Sequence, residues 1–273
     1  PGCSVMDLSS LAGSGLDSAA SGFVVLLVLT GFAAGFIDAV VGGGGLLQLP
    51  VTLLIPGITP VQALATNKMG SVFGTTTSAV TFYRRVHPDL RTALPMAVVA
   101  LVASGAGAAV AAALPAAVFK PIIVLALIAV LVFTVAKPSM GQLTALRHTG
   151  ARHYGLAVAL GALIGFYDGV MGPGTGSFLI IGLVSLLGYS FLAASAKAKI
   201  VNLATNIGAI AVFAAHGSVL WGLGLVLGLS NMAGGYIGAR TAVARGSAFI
   251  RVVFFTVVTV LIAKLGWDVL TGR

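Results

Sequence analysis

Apolar runs, each set off by only a short gap, fill this chain from Gly22 to Trp267. They lie at 22–41, 45–55, 61–83, 92–113, 118–136, 155–171, 174–188, 190–216, 219–242 and 248–267. A helix needs about 20 apolar residues to cross the hydrocarbon core of a bilayer. Most of these runs come close to that length. Only 8% of the residues are charged, against about a quarter in a soluble domain, so a water-facing surface cannot be assembled. The expected fold is all-α, a polytopic transmembrane helical bundle of about eight to ten segments. Its solvent is the lipid bilayer, and no length is left for a sizeable soluble domain.

The net charge of +9 does not point to nucleic acid, because the charges occupy loops. Arg84, Arg85 and Arg91 fall in one gap, Lys137, Arg147 and Arg152 in another, and Arg240, Arg245 and Arg251 around a third. Short basic loops are the orientation signal of membrane insertion, so all three gaps are expected in the cytoplasm and the N-terminus outside. No basic domain or nucleic-acid motif accompanies them. A single cysteine, Cys3, excludes an intrachain disulfide and a cysteine metal cluster. The first 21 residues are small and polar and lack the basic region of a signal peptide; a flexible tail is expected there.

The chain repeats itself. GFAAGFIDAVVGGGG at 31–45 aligns with GALIGFYDGVMGPGT at 161–175. In that register Asp38 meets Asp168 and Gly42 meets Gly172, and a one-residue shift then matches Lys68 with Lys199. Glycine matches are cheap in a chain with 37 glycines, but acidic residues number six, every one Asp. Two of them at equivalent intramembrane positions signal duplication. The expected organisation is a tail (1–21), a first transmembrane repeat (22–136), a basic cytoplasmic linker (137–154) and a second repeat (155–273). An odd number of crossings per half makes the repeats inverted, as in many secondary transporters, whereas a single re-entrant segment per half would make the count even and the repeats parallel.

The repeat also marks where chemistry is expected. The run at 45–55 follows Gly42 to Gly45 and stops at Pro56-Gly57; it is too short to cross and reads as a half-helix behind a glycine break. The first N–H groups of such a helix have no internal partner and carry the positive end of its dipole. Gly43, Gly44 and Gly45, with Gly174, Thr175 and Gly176 in the second half, are therefore candidates to hold an anion. Tight helix packing through small residues is the other reading of these glycines. Polar residues follow each break: Thr66, Asn67 and Lys68, then Lys197, Lys199, Asn202 and Asn206. Lys199, Asn202 and Asn206 share one helix face, as a cavity lining would. Snorkelling is the alternative for Lys197 and Lys199, and interhelical bonding for the asparagines. Asp38 and Asp168 read either as proton-carrying carboxylates or as caps and lysine partners that hold the breaks. Thr75 to Ser78 are expected to bond back to helix carbonyls.

An enzyme is not expected. His87, His148, His153 and His216 are scattered, and only His148 and His153 approach a metal-ligand spacing. GPGTG lacks the Lys-Ser/Thr of a phosphate loop, so no ATP site and no cofactor are implied, and energy must come from a gradient.

With these residues in hand, the chain resembles the TauE/SafE family, the sulfite exporter and toluene-sulfonate uptake permease group, in its YfcA-like bacterial branch. The resemblance is carried by GFIDAVVGGGGLLQLP (35–50), ITPVQALATNKMGSVFGTTTSAVTFYRR (58–85), GFYDGVMGPGTGSF (165–178) and AKAKIVNLATNIGAIAVFAAHGSVLW (196–221). Four consecutive glycines at 42–45 depart from the family's alternating pattern. The resemblance implies a two-repeat transporter in a bacterial inner membrane, moving sulfite, sulfonates or related small anions. The resulting expectation is a secondary transporter working by alternating access. The anion would be held at the Gly breaks, with Lys68 and Lys199 for charge and Asn67, Asn202 and Asn206 for directed bonds. An uncoupled anion channel and, behind it, a membrane enzyme or accessory subunit are the rivals. Gly-rich faces serve packing between chains as well as within one, which leaves a homo-oligomer open.

Overall fold

The computed structural model describes residues 17–55, 57–115 and 143–271. The expected span at 118–136, the tail up to residue 16 and Lys137 of the linker lie outside the described residues. Within them the chain is helical and has no strand. The helices are α1 (Asp17–Val41), α2 (Gly45–Leu53), α3 (Pro60–Val86), α4 (Leu90–Ala113), α5 (Gly150–Val170), α6 (Thr175–Gly182), α7 (Phe191–Ala215) and α8 (Trp221–Thr271). A π-helical turn, Leu183–Leu187, prolongs α6. Gly246, at φ 70° and ψ −168°, breaks α8 into two arms.

Local chemistry fixes the ends. α3 starts at a reciprocal capping box: the Gln62 N–H donates to Thr59 Oγ1 at 3.2 Å and the Thr59 N–H to Gln62 Oε1 at 3.0 Å, with Pro60 in the first turn. It stops at His87, in the left-handed region. Asp89 caps α4 and Ser190 caps α7, each accepting a backbone N–H. Windows within α1, α4, α5 and α7 are long and apolar enough to cross a membrane.

The halves interlock. α1 packs on the first arm of α8, and α5, its repeat, packs on α4. A Cβ on Gly31 or Gly35 would run into Ser230 or Asn231, and one on Gly161, Gly165 or Gly169 into Met96, Ala100 or Ser104. Small residues thus bring the backbones together where no water drives apolar surfaces into contact. α3 and its repeat α7 run antiparallel. Leu220, just past the end of α7, bonds Thr66 near the start of α3, whereas Tyr189, just before α7, bonds Thr92, just beyond the end of α3. The repeats are inverted.

The described parts of the three basic gaps lie at one end. His153 Nε2 lies 3.2 Å from Thr92 Oγ1, and the Leu192 N–H donates to Ser247 Oγ at 3.2 Å. His153, one of the two histidines closest to a metal spacing in the sequence, is engaged by Thr92 and by Tyr189 Oη at 2.9 Å.

Candidate substrate site

A glycine stands just past the end of each of α1 (Val41) and α5 (Val170). Gly42 and Gly172 take φ of 79° and 86°, where a side chain is strained. Each turn releases a short helix. α2 has nine residues, about 13 Å at 1.5 Å per residue, so it cannot span. The two breaks touch: the Ser177 N–H donates to Gly42 O at 3.2 Å, and Ser177 Oγ donates to Val41 O at 2.8 Å. On the other side of the second break, Tyr167 Oη donates to Pro173 O at 2.6 Å.

A small polar pocket lies at this junction. α1 and the first break supply Asp38, Gly42 and Gly45. α3 supplies Asn67, Lys68, Ser71 and Thr75. α5 and the second break supply Asp168, Gly172, Gly174, Thr175 and Gly176, and α7 supplies Asn202 and Asn206. Two ion pairs cross between the repeats. Lys68 Nζ lies 2.5 Å from Asp168 Oδ2, and Lys199 Nζ donates to Asp38 Oδ2 at 2.8 Å. Leaving any one of these charges buried without its partner would cost several kcal/mol, about 3–5. Asn67 Oδ1 is buried with no partner; as an acceptor it can meet only a donor, so the NH2 end of this amide is the one able to serve a negatively charged group.

The charges of the two lysines and two aspartates cancel. What remains is the positive end of α2 at Gly45 and of α6 at Thr175 and Gly176. Dipoles and amides thus face the pocket directly, while each lysine is covered by a carboxylate.

The pocket gathers most of the residues expected from the sequence: Asp38, Gly45, Asn67, Lys68, Asp168, Gly174, Thr175, Gly176, Asn202 and Asn206. Lys199 joins through Asp38. Three fall outside. Thr66 Oγ1 accepts from the Leu220 N–H at 3.2 Å and fastens the α7–α8 turn. Gly44 presses on Ala34 and Asp38 inside the α1–α2 hairpin, and Gly43 faces Leu46 and Ile37. Neither lysine of α7 snorkels: Lys199 is ion-paired, and Lys197 is buried with Nζ 4.2 Å from the Tyr189 ring centroid. Ser71 and Thr75 are additions. Asn67, Ser71 and Thr75 recur every fourth residue, so extending the polar face of α3 finds them. Thr75 does bond back, to Ser71 O at 2.9 Å, and it also accepts from Asn206 Nδ2 at 3.3 Å.

An inverted-repeat bundle with broken helices meeting at a buried, charged pocket belongs to the class of membrane transporters. The chain is a member of the TauE/SafE family: residues 27–265 match the family model described as Sulfite exporter TauE/SafE. A probable membrane transporter protein of Sinorhizobium sp is 39% identical over 242 residues, covering 89% of this chain and 92% of the relative. The probable membrane transporter protein YfcA of Escherichia coli K12 is 34% identical, covering 89% of each. One from Haemophilus influenzae is 31% identical, covering 90% and 95%. No solved structure matches the chain significantly.

Proposed function

We propose that the protein is a secondary transporter of a small anion across the bacterial inner membrane, working by alternating access. The cargo is sulfite, an organosulfonate or a related sulfur or carboxylate anion. The observation that carries this reading is the pocket itself, where two helix N-termini and two crossed Lys–Asp pairs meet between inverted repeats. Burying one more negative charge there is costly unless it is neutralised. A proton on one of the carboxylates neutralises it, since the anion then takes that carboxylate's place at the lysine. Coupling to protons follows from this balance. The interlocked repeats supply two bodies that can rock about the fixed junction of the breaks. The basic end, where the arginine loops meet, is the cytoplasmic one.

The test is flux of radiolabelled sulfite and of a small sulfonate in proteoliposomes holding the purified protein, with and without an imposed pH gradient. Gradient-driven accumulation of either anion is expected. Flux that ignores the gradient and runs far above transporter turnover would make the protein an uncoupled channel, and absence of flux for both anions would overturn the substrate class.

A further inference from the structure

The two repeats bring the same aspartate to the pocket but do not hold it in the same way. Asp168 is gripped twice: Lys68 stands at Oδ2, and Thr175 Oγ1 donates to Oδ1 at 2.5 Å. The position equivalent to Thr175 in the first repeat is Gly45, which has no side chain to offer. Asp38 Oδ2 has Lys199, and Oδ1 has no hydrogen bond from a described residue. The exposures follow the partners, with the Asp168 side chain 3% exposed and that of Asp38 14%. The asymmetry lies in the carboxylates and not in the lysines, both of which are buried, Lys68 at 2% and Lys199 at 0% exposure.

From this asymmetry we infer that Asp38–Lys199 is the pair that opens to admit the anion and that Asp38 alone carries the proton, while Lys68–Asp168, locked by Thr175, is a fixed tie between the repeats. The inference rests on the transport reading above and names which half of the pocket does the exchange. Freeing Asp38 breaks one bond to a carboxylate already in partial contact with the pocket. Freeing Asp168 breaks an ion pair and the Thr175 hydrogen bond, at a more deeply buried group. The ionisable groups facing Asp38 are Lys199 from α7, Lys68 from α3 and Asp168 across the pocket. α2 and α6 contain none, and α8 meets α1 with Ser230, Asn231 and glycines.

Two measurements test this on the full chain. The first needs no substrate: a hydrophobic carbodiimide reacts with carboxyls in their protonated form, and mass spectrometry locates the adduct. Modification of Asp38, with Asp168 spared, is expected. Modification of Asp168 first, of both equally, or of neither overturns the assignment. The second is sulfite flux in proteoliposomes. Asp38→Asn is expected to lose accumulation driven by the pH gradient yet keep sulfite–sulfite exchange at equal pH. Asp168→Asn is expected to keep the wild-type accumulation ratio, whatever its rate, and loss of accumulation with exchange retained there would overturn the inference. Thr175→Val removes the second grip, so in that variant the carbodiimide is expected to reach Asp168 as well as Asp38. Asp168 still spared in Thr175→Val would overturn the lock, and this variant decides the point should Asp168→Asn fail to fold. Wild type that moves no sulfite would instead strike the transport reading, and the carbodiimide result would still judge which carboxyl takes the proton.

Discussion

Gly42 of the first break and Gly176 of the second lie back to back, so closely that a Cβ on either would enter the backbone of the other. Gly42 is also held at φ 79°. Alanine at position 42 therefore meets two penalties, about 1–2 kcal/mol for the left-handed backbone and a clash that forces the breaks apart. Gly42→Ala is expected to lower the melting temperature in detergent and to abolish flux. Gly43→Ala is the control, since its Cβ would come no nearer than 3.5 Å to Leu46 Cδ1, and it should melt near wild type.

The crossed ion pairs predict a non-additive stability cycle. Lys68→Met strands the Asp168 charge in a buried site and should cost about 3–5 kcal/mol. Adding Asp168→Leu removes the stranded charge, so the double variant should be more stable than Lys68→Met alone. Denaturation of the purified variants checks this. Strictly additive losses would mean that the pair contributes nothing as a pair.

Asn67 separates binding from folding. Its Oδ1 is buried without a partner, so truncation to alanine removes an unsatisfied atom and should change stability little. The lost amide should raise the KM for the transported anion by about threefold to tenfold, the worth of one hydrogen bond. Asn67→Asp should weaken binding further by placing a negative charge beside the substrate.

At the basic end, Asp89 accepts from the Arg91 N–H at 3.0 Å and from Thr92 Oγ1 at 2.6 Å. Partial burial pushes its pKa up, but the Thr92 hydroxyl and the Arg91 amide outweigh that and hold it below the usual carboxylate value of 3.8. A depressed acid contributes stability that is present above its unfolded pKa and is lost as pH falls through the folded one. Melting temperature should therefore drop in the acid range below the usual carboxylate pKa, and Asp89→Ala should show a smaller drop there. At neutral pH, Asp89→Ala should cost about 1 kcal/mol through the lost cap.

Much of this architecture is written locally. Among the described residues the apolar runs read from the sequence reappear as helices within a few residues: the run at 92–113 is α4 (Leu90–Ala113) and that at 190–216 is α7 (Phe191–Ala215). Hydropathy decides them because an apolar stretch in lipid must satisfy its backbone bonds internally. The breaks are local too, since glycine at φ near 80° ends a helix wherever it stands. The duplicated Asp, and the polar residues after each break, were legible because charge and amide groups are rare among so many apolar ones.

What the sequence by itself determined is therefore the placement of most helices among the described residues, the duplication and the residue types of the pocket. Only the tertiary structure decided who meets whom. Lys68 pairs with an aspartate 100 residues away and Lys199 with one 161 residues away, and no periodicity carries such a partner. It also sent Thr66 to a loop amide and Gly44 into the α1–α2 hairpin, although both stand within two residues of the pocket wall. Above all it separated Asp38 from Asp168. Duplication made them equal in sequence, and a threonine hydroxyl present at 175 and absent at 45 makes them unequal in space. Hydropathy and backbone freedom act over a few residues, so they can be read along the chain. Ion pairs and close backbone contacts act between distant segments, so they exist only once the chain has folded.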